Sequence, residues 1–156
     1  FMIETQDNRI KVTGTSFNVR HYHDEEAASV AVVDGTVTVD LEGRVACAKV
    51  TPGLQFSING ETGEYSLTKA DLYKITAWKN NLFVFAEDDL STIARSIERW
   101  YDVTIHVDET LCNNRYSGTI NKFETMKKVV DIFRGTGEME FLQNDDGSIS
   151  IIPPKT

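Results

Sequence analysis

The sequence predicts an α+β protein in which an all-β region of sandwich or roll type precedes a smaller domain of strands and helices. Residues 1–77 contain short runs of alternating apolar residues separated by turn signals, without a helical period. Residues 78–156 instead contain two amphipathic stretches with a period near 3.6 residues, each flanked by candidate strands. We therefore place a domain boundary at residue 77.

Turn signals in the first region predict its hairpins. Asp34-Gly35 lies between two valine-rich runs, and this dipeptide favours the positive φ angles of a two-residue type I′ turn. We therefore expect the flanking strands to pair with each other. The segment from Asn59 to Gly63 predicts a second, longer hairpin loop.

A pattern in the second region occurs twice, 33 residues apart. Its apolar positions keep their spacing, which indicates that a βαβ unit, a strand, a helix and a strand, has been duplicated. We expect both helices to pack on one face of a sheet, because an amphipathic stripe must be buried against another surface. The residues predicted to be buried are Leu90, Ile93, Ile97, Phe123, Met126, Val130 and Phe133.

Capping residues predict the limits of the first helix. Asp88 or Asp89 can accept hydrogen bonds from the free backbone N–H groups of a helix that begins at Leu90. This helix is expected to end near Trp100. The adjacent carboxylates could also be read as an acid/base pair, but their place before an apolar helix favours capping.

The second helix has its own start and stop signals. Asn121, with Glu124 three residues later, resembles a capping box, and Gly135 and Gly137 would end the helix. Strands are expected at residues 82–85, 103–107, 115–120, 139–141 and 148–152.

Composition excludes several classes of function. The 24 acidic and 16 basic residues give a net charge of −8, which disfavours binding to nucleic acid or to anionic membranes. No apolar run reaches the roughly 20 residues that cross a bilayer. We expect soluble domains that bind no nucleic acid.

Catalytic and metal motifs are weak in this sequence. His21 and His23 would share one face of a strand, but a zinc site needs further ligands, and Cys47 is the only soft candidate in that region. His106 alternates with apolar residues and is expected to face solvent. The sequence predicts no catalytic residues, no metal and no cofactor. Cys47 and Cys112 fall in different predicted domains, so we expect both thiols to be free.

Several segments together resemble a known family. The segments 12–19, 32–39 and 52–55 (VTGTSFNV, VVDGTVTV and PGLQ) are similar to the second half of the FecR domain of FecR-type anti-sigma regulators. Residues 77–103 (AWKNNLFVF, then the Leu90 helix, RWY and Val103) and 115–119 (RYSGT) resemble the C-terminal domain of Bacteroidetes-type members. The resemblance covers nearly the whole chain, and its motifs are specific in combination.

This resemblance implies a function. The chain would be the periplasmic part of a single-pass inner-membrane regulator that senses the signalling domain of a TonB-dependent outer-membrane transducer. A cytoplasmic segment, absent here, would hold an extracytoplasmic-function (ECF) sigma factor, and an absent N-terminal helix would provide the only membrane contact. The repeated module resembles the secretin/TonB short N-terminal fold found on the transducers themselves.

The family resemblance also leads to an expectation about sheet edges. The first half of the FecR domain would precede Phe1, so residues 1–40 are expected to expose a strand edge. In the second domain we expect the transducer to add a strand beside Ser148–Ile152, with the apolar residues Ile149 and Ile151 and the aromatic residues Trp100 or Tyr101 as partner-binding residues. Alternatively, the two isoleucines form the core face of this strand.

A second function, from a different class, remains open. The chain could be a periplasmic carbohydrate- or envelope-binding module without a transcriptional role. Such a module would need an exposed aromatic platform, whereas Phe17, Phe56 and Tyr65 all fit the core alternation of the β region.

Overall fold

A computed structural model describes residues 2–4, 8–12, 14–41 and 47–154, and it describes side chains for residues 14–40 and 48–154. The chain divides into two compact units, residues 1–76 and residues 77–156. Among the described residues, no helix is both long enough and apolar enough to span a bilayer.

Two four-stranded antiparallel sheets make up most of the described part of the first unit. The strands of one sheet, in spatial order, are β1 (Met2–Glu4), β2 (Asn8–Val12), β5 (Val37–Leu41) and β6 (Cys47–Val50). Those of the other are β3 (Ser16–Arg20), β4 (Ala27–Asp34), β7 (Leu54–Asn59) and β8 (Tyr65–Lys69). The prediction that residues 1–77 are all-β is wrong at their end, where a short helix, α1 (Leu72–Thr76), follows β8 and the carboxylate of Asp71 accepts a hydrogen bond from the backbone N–H of Lys74.

Side chains from both sheets share one apolar core, as expected for a sandwich. Valine dominates this core because a β-branched side chain fits the pleated surface of a sheet. Its buried members are Val30, Val32, Val37, Val39, Val50 and Phe56. Tyr65 was expected to be buried, but its side chain is half exposed and stacks on the ring of Phe56, with 5.7 Å between ring centroids.

One predicted hairpin is present and the other is not. β7 and β8 pair with each other across the Asn59 to Gly63 loop, as predicted. β4 and β5 do not pair, because the chain crosses from one sheet to the other at Asp34-Gly35. Gly35 has a φ of 84°. A Cβ atom there would lie 2.9 Å from Thr15 Oγ1, so close packing also requires this glycine.

The exposed edge expected within residues 1–40 stays a prediction, and two of the described strands there are candidates for it. β1 and β3 are the outer strands of their respective sheets. Cys112 is a free thiol, as predicted, so it forms no bridge with Cys47. The side chain of Cys47 itself lies outside the described residues.

The second unit begins with a 3-10 helix, Ala77–Asn80, and continues with five strands and two helices in its described residues. In chain order these are β9 (Leu82–Asp89), α2 (Leu90–Tyr101), β10 (Ile105–Val107), β11 (Arg115–Asn121), α3 (Met126–Arg134), β12 (Glu140–Gln143) and β13 (Ile149–Ile152). β9 and β11 form an antiparallel pair. The other sheet has the order β10-β13-β12, with β13 parallel to β10 and antiparallel to β12.

Each helix therefore follows a strand of one sheet and precedes a strand of the other. This differs from the single sheet that the sequence predicted. α2 contacts strands of both sheets, β9 and β10. Its apolar stripe, Leu90, Ile93, Ala94 and Ile97, is buried in a core to which both sheets contribute.

The residue just before each helix explains where that helix starts. Asp89 is the N-cap of α2, and its carboxylate accepts a hydrogen bond of 2.7 Å from the backbone N–H of Thr92. The predicted capping box at Asn121 is wrong, because Thr125 is the N-cap of α3 and accepts from Lys128 N. Gly135 ends α3, as predicted.

Candidate protein-interaction surface

The last turn of α2 places two aromatic side chains beside the loop that joins β11 to α3. Asp102 ends the helix with a left-handed φ of 53°, and its backbone N–H donates to Glu98 O. Tyr101 packs against the core, whereas the side chain of Trp100 is 43% exposed. Adjacent residues on a helix diverge by about 100°, which is why one of them is more buried than the other.

Both aromatic residues hydrogen-bond the backbone of this loop. The indole N–H of Trp100 donates to the carbonyl of Lys122 at 2.8 Å, and the hydroxyl of Tyr101 donates to the carbonyl of Glu124 at 2.7 Å. Asn121 Oδ1 accepts from the N–H of Phe123 at 2.9 Å. Each of the three residues 122–124 is therefore held by a different side chain. We call residues 121–125 the braced turn.

The side chain of Lys122 also connects the braced turn to aromatic residues, through cation–π contacts. Its ammonium lies 4.8 Å from the centroid of the Phe83 ring and 4.5 Å from that of Trp100, within the range of cation–π attraction. The two rings meet edge to face, with centroids 6.2 Å apart. Burial lowers the pKa of Lys122, since a desolvated ammonium is disfavoured. The backbone N–H of Lys122 donates to Asn81 O at 2.7 Å.

Phe123, at the centre of the braced turn, is 75% exposed. The sequence predicted it to be buried as the counterpart of Leu90, and this prediction is wrong. Leu90 is the first residue of α2, whereas Phe123 precedes the first residue of α3 by three positions. The buried residues of α3 are Val129 and Phe133, with the predicted core residues Met126 and Val130 only partly buried against the same core.

The strand that was expected to be an open edge is the central strand of its sheet. β13 pairs with β10 on one side and with β12 on the other, so Ser148–Ile152 cannot accept a further strand. Ile151 is 2% exposed and belongs to the core, and Ile149 is partly buried against it. The burial of Ile149 and Ile151 fits the alternative prediction, in which both residues lie on the core face of the strand.

Side chains cover backbone groups on both true edges of this sheet. On β10, the N–H of Ile105 donates to Glu98 Oε1 at 2.7 Å, and the thiol of Cys112 lies 3.8 Å from the carbonyl oxygen of Val107. On β12, the carbonyl of Phe141 accepts from Arg134 Nη2 at 2.8 Å. Such contacts blunt an edge against strand addition.

Among the side chains that the structure describes, the other candidate residues do not assemble into a chemical centre. Among residues 14–40 and 48–154, no three His, Cys, Asp or Glu side chains cluster closely enough to hold a metal. His21 and His23 are exposed between β3 and β4, and His106 is exposed on β10, as predicted for the last. Burial alone would raise the pKa of Asp89, but the hydrogen bonds from Thr92 outweigh it and lower the pKa, as suits a charged cap.

Comparison with known proteins relates the second unit to a family. Residues 82–151 match the family model described as "FecR, C-terminal". Two crystal structures, each of a "putative anti-sigma factor" from Parabacteroides distasonis ATCC 8503, resemble the whole chain. Both are 24% identical to it and cover 99% of it, with TM-scores of 0.83 and 0.81 over 72% and 71% of their own chains. No curated protein matches.

At 24% identity, the likeness to the two crystal structures shows a shared fold and no more, and it includes residues of both units. The family match covers the region from the start of β9 almost to the end of β13, including the braced turn and the last turn of α2. Residues 82–151 of the second unit are therefore similar in sequence to FecR C-terminal domains, and the chain shares its fold with the two crystal structures.

Proposed function

We propose that this chain is the periplasmic, signal-receiving part of a transmembrane anti-sigma regulator. The observation that carries the proposal is the match of residues 82–151 to the FecR C-terminal domain. The fold shared with a "putative anti-sigma factor" over 99% of the chain supports the same function. A regulatory protein needs an interaction surface rather than a catalytic centre, and the braced turn with its exposed Phe123 is such a surface.

In this proposal the two units have different tasks. The first unit connects the sensor to a membrane helix and to a cytoplasmic segment that binds an ECF sigma factor. The second unit receives the signal from the signalling domain of a TonB-dependent outer-membrane receptor. We infer that the second unit is a duplicated strand–helix–strand module of the kind found on the receptors, so that like modules recognise each other.

The site for this recognition is the surface around Trp100 and Tyr101. The buried Ile151 belongs to the core and offers no accessible contact. Trp100 remains a partner-binding candidate because nearly half of its side chain is exposed. Tyr101 is a candidate because its hydroxyl donates a hydrogen bond to the carbonyl of Glu124 in the braced turn.

A binding experiment tests the proposal. The 156-residue chain is titrated by calorimetry with the signalling domain of the TonB-dependent receptor encoded beside it, and the signalling domain of a different receptor of the same organism serves as the control. We expect saturable binding of the first domain and none of the second. Absence of binding to the neighbouring receptor's domain would contradict the proposal, and binding to an envelope polysaccharide instead would favour a carbohydrate-binding module.

A reporter assay tests the transcriptional part. A promoter that depends on the neighbouring ECF sigma factor is fused to a reporter gene, and the regulator is expressed in full or without residues 77–156. We expect the receptor's ligand to change reporter activity only when the second unit is present. An unchanged response in the truncated regulator would place signal reception elsewhere.

A further inference from the structure

Phe123 is the most exposed large hydrophobic side chain among the described residues. Single exposed apolar residues are common on protein surfaces and need no explanation by themselves. Phe123 differs because its backbone is fixed on both sides. The carbonyl before it accepts from Trp100, the carbonyl after it accepts from Tyr101, and its own N–H donates to Asn121.

Such bracing has a consequence for binding. An exposed aromatic side chain on a mobile loop loses backbone freedom when it is captured, and this loss weakens the complex. A turn held at three consecutive residues has already lost that freedom in the unbound protein. Aromatic residues that enter a partner's pocket from a preorganised backbone are the usual centres of binding energy in interfaces. The neighbouring Trp100 extends the apolar surface with its exposed ring.

The chain segment that contains Phe123 carries a charge opposite in sign to that of the whole chain. The chain carries a net charge of −8, yet residues 122–128 contain three lysines against one glutamate. Lys127 and Lys128, in the first turn of α3, have exposed side chains. The positive end of the α3 dipole adds to their potential. A carboxylate-rich surface therefore complements this part of the molecule, and electrostatic complementarity of this kind selects partners.

We propose that Phe123 is the anchor of the interface, and that it inserts into an apolar pocket rimmed by carboxylates on the receptor's signalling domain. Lys127 and Lys128 pair with the rim. Trp100 and Tyr101 act chiefly as positioning residues that hold the anchor in place. This inference rests on the function proposed above, and it names the surface and the chemistry of the partner site.

Substitution of Phe123 tests the anchor directly. Phe123→Ala should weaken binding of the signalling domain by about 30-fold or more, as for other central aromatic anchors. Because the side chain is exposed, the thermal midpoint should stay within about 2 °C of the native value. Leu142→Ala is the matched control: Leu142 is also an exposed apolar residue of the second unit, on β12, and its loss should change the dissociation constant less than 2-fold.

A double-mutant cycle separates bracing from direct contact. Tyr101→Phe removes only the hydroxyl that donates to Glu124 O, and it should weaken binding by roughly 2- to 10-fold, the range of one hydrogen bond. The same change in the Phe123→Ala background should have no further effect, since the turn then has no anchor to position. Equal effects in both backgrounds would overturn the positioning role of Tyr101.

Charge reversal tests the predicted partner chemistry. Lys127→Glu with Lys128→Glu should slow association by at least 10-fold at low salt, and the difference should shrink as ionic strength rises. Reversal at Lys49 and Lys69, exposed lysines of the first unit, is the control and should change the rate less than 2-fold.

The outcomes distinguish the inference from the function on which it rests. Native binding that persists in Phe123→Ala overturns the anchor and leaves the proposed function standing. No binding by the native chain overturns both. If sedimentation instead shows that Phe123→Ala abolishes self-association of the chain while binding of the signalling domain is unchanged, the surface joins copies of this chain and the proposal is wrong.

Discussion

Truncation of one side chain at the centre of the second unit should remove a large part of its stability. Ile97 is 3% exposed and lies on the buried stripe of α2, in the core that both sheets share. Ile→Ala substitutions at such positions cost about 2–5 kcal/mol, because transfer free energy is lost and a cavity remains. A unit of 80 residues (77–156) has a total stability of about 4–12 kcal/mol. Ile97→Ala should therefore lower the thermal midpoint of this unit by about 10 °C or more.

The positions of the tryptophans allow the two units to be followed separately. The chain contains two tryptophans, Trp78 and Trp100, and both belong to the second unit. Tryptophan fluorescence in a urea titration therefore reports the unfolding of this unit, while circular dichroism reports both units. We expect Ile97→Ala to move the fluorescence transition to lower urea by about 1–3 M, given the usual dependence of unfolding free energy on urea.

Ile132→Ala provides a matched control within the same unit. Ile132 is also in a helix, α3, but its side chain is 42% exposed. Little transfer free energy is lost there, and alanine has the higher helix propensity, so we expect a change within about 1 kcal/mol. A loss of less than about 1 kcal/mol for Ile97→Ala, or equal losses for both variants, would refute the assignment of α2 to the centre of the core.

Three further predictions concern local features. Asp89→Ala should lower the free energy of unfolding by about 1 kcal/mol at neutral pH, because the α2 cap is lost. The folded-state pKa of Asp89 lies below the unfolded value of 3.8. The difference in thermal midpoint between the native chain and the variant should therefore be complete above about pH 4 and fade as the pH falls through the folded pKa. Asp102→Gly should stabilise the second unit by up to about 1 kcal/mol in urea titrations, since glycine adopts the left-handed conformation of this C-cap without strain. Iodoacetamide should alkylate Cys112 without prior reduction, and a Cys112-containing disulfide in the mass spectrum would contradict the free thiol.

Local sequence signals located the two long helices of the second unit and several strands correctly. α2 begins after the predicted cap at Asp89, and its buried stripe follows the predicted 3.6-residue period. The β7–β8 hairpin is also present, because a loop and two adjacent strands are a local feature. By contrast, the Asp34-Gly35 turn has the expected positive φ at Gly35, but a turn does not decide which sheet each strand joins.

Long-range pairing accounts for the largest errors in the second unit. β13 is last in the chain and was therefore placed at an edge, yet its parallel partner β10 is more than 40 residues earlier, with Ile105 opposite Ile149. No local pattern in residues 148–152 reports such a partner. The error at Phe123 has a similar origin: the 33-residue repeat predicts equivalent positions, whereas Thr125 caps α3 and leaves Phe123 outside the helix. A Thr followed three residues later by Lys carries a weaker start signal than the Asn121 to Glu124 pair.

The edges of the three-stranded sheet bear on the proposal that the second unit binds a partner. Strand addition requires consecutive free N–H and C=O groups along an outer strand. Glu98 holds the N–H of Ile105 on β10, and Arg134 holds the carbonyl of Phe141 on β12. A partner strand would have to displace these charge-assisted hydrogen bonds, which are stronger than neutral ones. The braced turn requires no such displacement, since Phe123 is already exposed and its backbone already held. Recognition through side chains at this turn is therefore favoured over extension of this sheet.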